Sequence, residues 1–98
     1  MKFGLSEEYL EILNNLVILP LKNAGGEVWI FGSRARGDHK KFSDIDLLFE
    51  LSDIPKGFVS QITEDIEESR IPYKVDLVNI KELASSYRDN VIRDRVKL

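Results

Sequence analysis

Asp44 and Asp46 stand two residues apart in an otherwise apolar run, Ser43-Asp44-Ile45-Asp46-Leu47-Leu48-Phe49. Read as a strand, this run puts both carboxylates on one side and Ile45 and Leu47 on the other, because side chains alternate along an extended chain. Two neighbouring carboxylates disfavour joint ionisation. A divalent cation between them reverses that penalty. The chain has no cysteine and a single histidine, His39, in the loop before the run. Hard oxygen donors alone indicate Mg²⁺, with Mn²⁺ as a substitute, rather than zinc. Mg²⁺ takes one or two carboxylates and completes its octahedron with water and substrate phosphates, so a nucleoside triphosphate is the natural other half of such a site. Asp76, in Lys74-Val75-Asp76-Leu77-Val78, is a third acid inside an apolar strand. If its strand lies beside that of Asp46, three acids can hold two cations about 4 Å apart, the clamp for attacking and leaving oxygens in phosphoryl displacement. The plainer alternative is three acids facing solvent from the open side of a sheet.

Upstream lies Gly32-Ser33-Arg34-Ala35-Arg36-Gly37. Glycine lets a backbone approach a phosphate with no Cβ in the way. Amides at a helix start bind anions, Ser33 adds a hydroxyl donor, and Arg36, about one turn on, offers forked donors to phosphate oxygens. The spacing of Gly32 and Gly37 imitates a P-loop, but Asp38 and His39 stand where Lys and Ser or Thr are required, so that reading fails. Arg34, Lys40 and Lys41 make the loop basic; Lys40 and Lys41 read as solvated charges, His39 as a loop residue, and Trp29 as core.

The elements that must position these groups follow from pattern. Ser6 with Glu7 and Glu8 marks a helix start, and Leu10, Leu13, Leu16 and Val17 recur at helical spacing until Pro20, which should kink or end the helix before Gly25-Gly26. Glu27–Phe31 and Asp44–Leu51 read as strands. A helix follows with Pro55 near its start, carrying Phe58, Ile62 and Ile66, then a strand over Tyr73–Ile80. Leu83, Tyr87 and Val91 define a last helix. The expected fold is α+β: a small mixed three-stranded sheet with helices packed on one face, in the order α-β-β-α-β-α. At 98 residues the chain is expected to form one domain, 1–98. Its 43% apolar and 32% charged content fits a globular domain, and a net charge of −3 disfavours nucleic acid as partner. The absence of cysteine suits a reducing compartment, the longest apolar run is too short to span a membrane, and the N-terminus has no signal-peptide pattern, so a cytoplasmic protein is expected.

Gly32-Ser33, then Ser43-Asp44-Ile45-Asp46, then Asp76 in a later strand resemble the minimal nucleotidyltransferases, a branch of the DNA polymerase beta-like superfamily. The likeness runs over essentially the whole chain. It implies that Asp44, Asp46 and Asp76 bind catalytic metals, with Asp76 also serving the acceptor hydroxyl. It implies that Gly32, Ser33 and Arg36 hold the triphosphate of ATP, and that AMP is transferred with release of pyrophosphate. It further implies a partner, a small all-helical HEPN-type protein. This chain would then be the antitoxin that adenylylates a partner tyrosine, or a catalytic subunit beside a separate substrate-binding subunit. A module that acts by binding its partner, without catalysis, is the competing reading.

Overall fold

The computed structural model describes residues 2–98. The first helix begins as its sequence dictates: Ser6 Oγ accepts the Tyr9 amide at 3.3 Å, and Glu7 and Glu8 occupy the first turn. Helix α1 (Glu7–Leu13) does not stop at Pro20. It widens into a π-helical stretch (Asn14–Ile18) and continues as α2 (Leu19–Asn23). Pro20 therefore falls in the first turn of α2, where an amide is dispensable, and the π turn ahead of it absorbs the change of register.

The sheet has four strands in the order β3-β2-β1-β4. Strand β1 (Glu27–Phe31) pairs antiparallel with β2 (Ile45–Glu50) on one side and with β4 (Val96–Lys97) on the other. Strand β3 (Val75–Asn79) lies parallel to β2. The expected α+β class and mixed sheet are present, with one strand more than the three expected. A two-residue edge strand carries no alternation to detect. Asp44 falls one residue ahead of β2 rather than inside it, and helix α4 (Phe58–Glu67) starts three residues beyond Pro55.

Alternation along β1 and β2 builds two apolar layers. Val28, Ile30, Ile45, Leu47 and Phe49 face α1, the π-helical stretch, α2 and α4, packing against Leu13, Val17, Leu21, Ile62 and Ile66. On the opposite face Trp29 and Leu48 pack with Ile80 of a 3₁₀ turn (Ile80–Glu82), with Leu83, and with Val91 of α5 (Ser85–Asp94). Helices thus cover the first face and part of the second. The expected last helix is correspondingly displaced: Leu83 precedes α5, and Tyr87 is 48% exposed, so Val91 alone of the three is buried within that helix. The second layer covers one end of its face only. At the other end stand the acids.

Candidate functional site

The β2–β3 register pairs Asp46 directly with Asp76, and the β1–β2 register pairs Asp46 with Phe31, the residue before Gly32. Asp46 shares its face of β2 with Leu48 and is half-buried. Its carboxyl is pushed above the ordinary carboxylate range, first by burial, then by the charges of Asp76 and Asp44 and a hydrogen bond with Asp76. The nearby Lys74 offsets this weakly. Its ammonium reaches Asp76 at 3.5 Å, but both groups are substantially exposed. Asp44 is exposed at the mouth of β2. Among the described residues no three His, Cys, Asp or Glu side chains are gathered closely enough to form a finished metal cage. The structure instead supplies a facing pair, Asp46 and Asp76, only weakly offset by Lys74, with Asp44 beside it. That donor set fits Mg²⁺, which needs only one or two carboxylates, better than an ion that demands an all-protein cage.

Gly32 opens the short helix α3 (Gly32–Arg36) with φ +74°, a conformation that L side chains rarely adopt. A Cβ there would lie 2.5 Å from Asp46 Oδ2. Glycine is therefore what lets the Asp46 carboxylate nestle against the loop. Ser33 follows, its carbonyl accepting the amides of Gly37 (2.9 Å) and Asp38 (3.1 Å) and so closing the turn. Arg36 reaches away from the acids: its Nε donates to Asp38 at 3.1 Å and its Nη1 lies 3.6 Å from Asp94 on α5. Two clefts border the segments that carry these groups. One of about 170 Å³ lies on the Gly32 side, between Arg36 and the α5 residues Tyr87 and Asn90. The other, about 450 Å³, lies on the Asp76 side and includes Thr63, Glu67, Tyr73 and Lys74.

Sequence reasoning passed over Arg34. Rather than a solvated loop cation, it is 2% exposed. Its Nε and Nη2 both donate to the Ser43 carbonyl, at 3.0 and 2.8 Å, and its Nη1 donates to the Phe3 carbonyl at 3.0 Å. The guanidinium also lies 4.5 Å from the centre of the Tyr73 ring. Only the alternation of Arg34 with Arg36 around a short helix hinted that one of them points inward.

A family model described as Polymerase beta, Nucleotidyltransferase matches residues 18–98. The chain belongs to that nucleotidyltransferase family. Among curated relatives, the Protein adenylyltransferase MntA of Thermococcus cleftensis is 34% identical over 70 residues, covering 71% of each chain. A Haemophilus influenzae relative also named MntA is 38% identical over 64 residues, which is 63% of this chain and 55% of that protein. The chain therefore spans little more than half of one of these relatives. A solved structure assigned as a minimal nucleotidyltransferase superposes with a TM-score of 0.69 at 28% identity, covering 100% of this chain and 97% of that one. A crystal structure of a toxin-antitoxin with AMP-PNP gives a TM-score of 0.65 at 20% identity over 86% of this chain and 70% of that one, a likeness of fold alone. The nucleotidyltransferase fold thus accounts for the mixed sheet, and it is the fold on which Gly32, Asp46 and Asp76 meet.

Proposed function

We propose that this chain is a protein adenylyltransferase. It moves AMP from ATP, with Mg²⁺ or Mn²⁺, onto a tyrosine hydroxyl of a small all-helical HEPN-type partner, and so acts in the cytoplasm as the antitoxin of a toxin–antitoxin pair. The observation that carries the reading is the register pairing of Asp46 with Asp76 beside Gly32: two facing carboxylates, with the proton affinity of Asp46 raised by burial and by its neighbour's charge, set against a backbone with no Cβ. The names of the two MntA relatives support AMP as the group transferred and a protein as the acceptor.

In this reading Asp44 and Asp46 hold the cation and Asp76 shares it. When bound, Mg²⁺ supplies charge neutralisation on the phosphates and eases ionisation of the acceptor oxygen. The chain's own groups do the positioning. Gly32 allows the triphosphate to approach, and the Ser33 hydroxyl donates to it. Arg36 exchanges the exposed Asp38 and the partly buried Asp94, which keeps Arg93 as a partner, for a phosphate oxygen; the surface pair with Asp38 is weak, so giving it up costs little. The acceptor hydroxyl enters through the Asp76-side cleft and gives its proton to an Asp76 carboxylate oxygen. The acceptor oxygen then bonds to the α-phosphorus while the bond from that phosphorus to the α–β bridging oxygen breaks. Pyrophosphate leaves and AMP stays on the acceptor. Catalysis of this kind is mostly alignment and electrostatics.

The experiment is direct. Incubating the protein with ATP labelled in the α-phosphate, Mg²⁺ and the small helical protein encoded beside it should label that partner on tyrosine, and chelating the cation should prevent it. An unlabelled partner at saturating Mg²⁺ and ATP would sink the reading. Label on the partner at a residue other than tyrosine would correct the acceptor.

A further inference from the structure

We propose that Arg34 is the positioning residue of the acidic site: it sets where the Asp44–Asp46 segment enters β2, and the N-terminal hook is part of that device. A buried guanidinium requires a reason, since a desolvated charge is costly unless it is fully hydrogen-bonded. Among the described residues no carboxylate lies within ion-pair distance of Arg34. Its partners are two carbonyls and one ring, and each belongs to a different segment of the site. The Ser43 carbonyl, held by two donors, immediately precedes Asp44. The Tyr73 ring lies three residues ahead of Asp76 and is itself met edge-on by Tyr9 of α1, at 5.9 Å between ring centres. The Phe3 carbonyl belongs to the hook Lys2–Leu5, closed by the Leu5 amide donating to Lys2 at 2.9 Å.

The hook is built to present that carbonyl. Phe3 has φ +57°, uncommon for a residue with a side chain, and persists there because its surroundings fix it. Gly4 follows at φ +71°, where a Cβ would strike His39 and reach 3.0 Å from Arg34 Nη1. One side chain therefore ties the loop that leads to the acids, the approach to β3 and the Lys2–Leu5 hook into a single unit. The Ile45 amide, donating to Lys74 O at 2.8 Å, is the first backbone link between the two acidic strands, and it lies directly downstream of the Arg34 fork.

The role in transfer rests on the adenylyltransferase reading; the role in placing the strand entry does not, and the experiment separates the two. Arg34→Met keeps the stem and removes every donor, Arg34→Lys restores the charge and one bond, and Val17→Ala, in the apolar layer that underlies both Ile30 and Ile45 on the sheet face away from the acids, serves as a control for lost stability alone. The first arm is amide hydrogen exchange without metal or nucleotide. Arg34→Met should speed exchange at Ile45 relative to Ile30 of β1 by about tenfold or more, whereas Val17→Ala should speed both together. The second arm is calorimetric Mn²⁺ titration, where loss of an outer supporting contact should weaken binding about 10–100-fold, with partial recovery in Arg34→Lys. Should Arg34→Met fail to fold, Arg34→Lys must still show the selective Ile45 effect. An Ile45-to-Ile30 exchange ratio left at its wild-type value, or reproduced by Val17→Ala, overturns the proposal even if the protein proves fully active. If the exchange effect appears in a protein that transfers nothing to its partner, the positioning role stands and the adenylyltransferase reading falls.

Discussion

Asp46→Asn should abolish adenylyl transfer while leaving the fold as stable as before, or more so. The two effects come from one side chain and have opposite signs. For activity, Asp46 is the group against which both Gly32 and Asp76 are arranged, and an amide cannot neutralise a cation. Removing a preorganised charge contact from a transition state typically costs 10²–10³ in rate, and loss of the carboxylate proposed to hold the cation should reach about a thousandfold or more. For stability, the metal-free protein holds the Asp46 carboxylate half-buried and beside two like charges, which raises its proton affinity above that of the unfolded chain. A carboxyl whose native pKa is raised binds more protons folded than unfolded, so its contribution to stability falls as pH rises from the ordinary carboxylate value through the native one. Above that window the penalty is fully present. The asparagine variant is free of it at neutral pH.

Thermal melts in chelator from acid to neutral pH check both statements. The difference between variant and wild type should be near zero below the ordinary carboxylate value of 3.8 and should grow in favour of the variant as pH rises. Added Mg²⁺ should then reverse the order, because binding to the folded state alone stabilises by about 2.7 kcal/mol at a hundredfold excess over the dissociation constant. A variant that melts lower than wild type at neutral pH in chelator would show that Asp46 contributes to the fold by some contact other than the repelling carboxylates. A variant that still labels its partner would remove Asp46 from the chemistry.

Much of this was legible in the chain because one periodicity serves both fold and site. Period-two alternation in Asp44–Phe49 both identifies β2 and sends Asp46 to the face opposite Ile45 and Leu47, so the strand and the site are read from the same letters. The glycine-serine turn is similarly local. What stayed hidden depends on neighbours distant in sequence. Pairing Asp76 with Asp46 requires β3 to be adjacent and in one particular parallel register, which apolar runs alone do not fix. Strand β4 exists only because Val96 and Lys97 find the free edge of β1. Arg34 is the sharpest case. A cation in a basic loop reads as solvated, and its burial is decided by carbonyls at Phe3 and Ser43 that no local pattern announces. The last helix is present as expected, but its apolar face is shorter than the spacing suggested, for a related reason. Leu83, Tyr87 and Val91 have helical spacing, but the layer they meet covers only one end of the sheet, so Tyr87 is left outside beside the Gly32 cleft.

Gly32→Ala should damage stability and turnover together, and by more than backbone strain explains. Two costs are superposed. The first is conformational: an L residue at φ +74° is held in the left-handed region, at about 1–2 kcal/mol. The second is steric and specific, since the new methyl would sit 2.5 Å from Asp46 Oδ2, so either the loop or the carboxylate must move. Asp46 has little room to retreat on a strand pinned on both sides by β1 and β3. A displacement of about 1 Å in a catalytic group can cost 10²-fold in rate, and a loss of that size in transfer is the expected result. Gly25→Ala isolates the first cost, because Gly25 has φ +92° and nothing within 4 Å of a Cβ. The difference between the two variants in urea denaturation then reports the clash with Asp46. Adding Asp46→Ala should shrink that difference toward zero, the non-additivity expected of residues in direct contact. If Gly32→Ala costs no more than Gly25→Ala and turns over normally, the Asp46 carboxylate does not rest against the glycine loop in solution, and donor phosphate and metal-binding acid would have to meet by some other geometry.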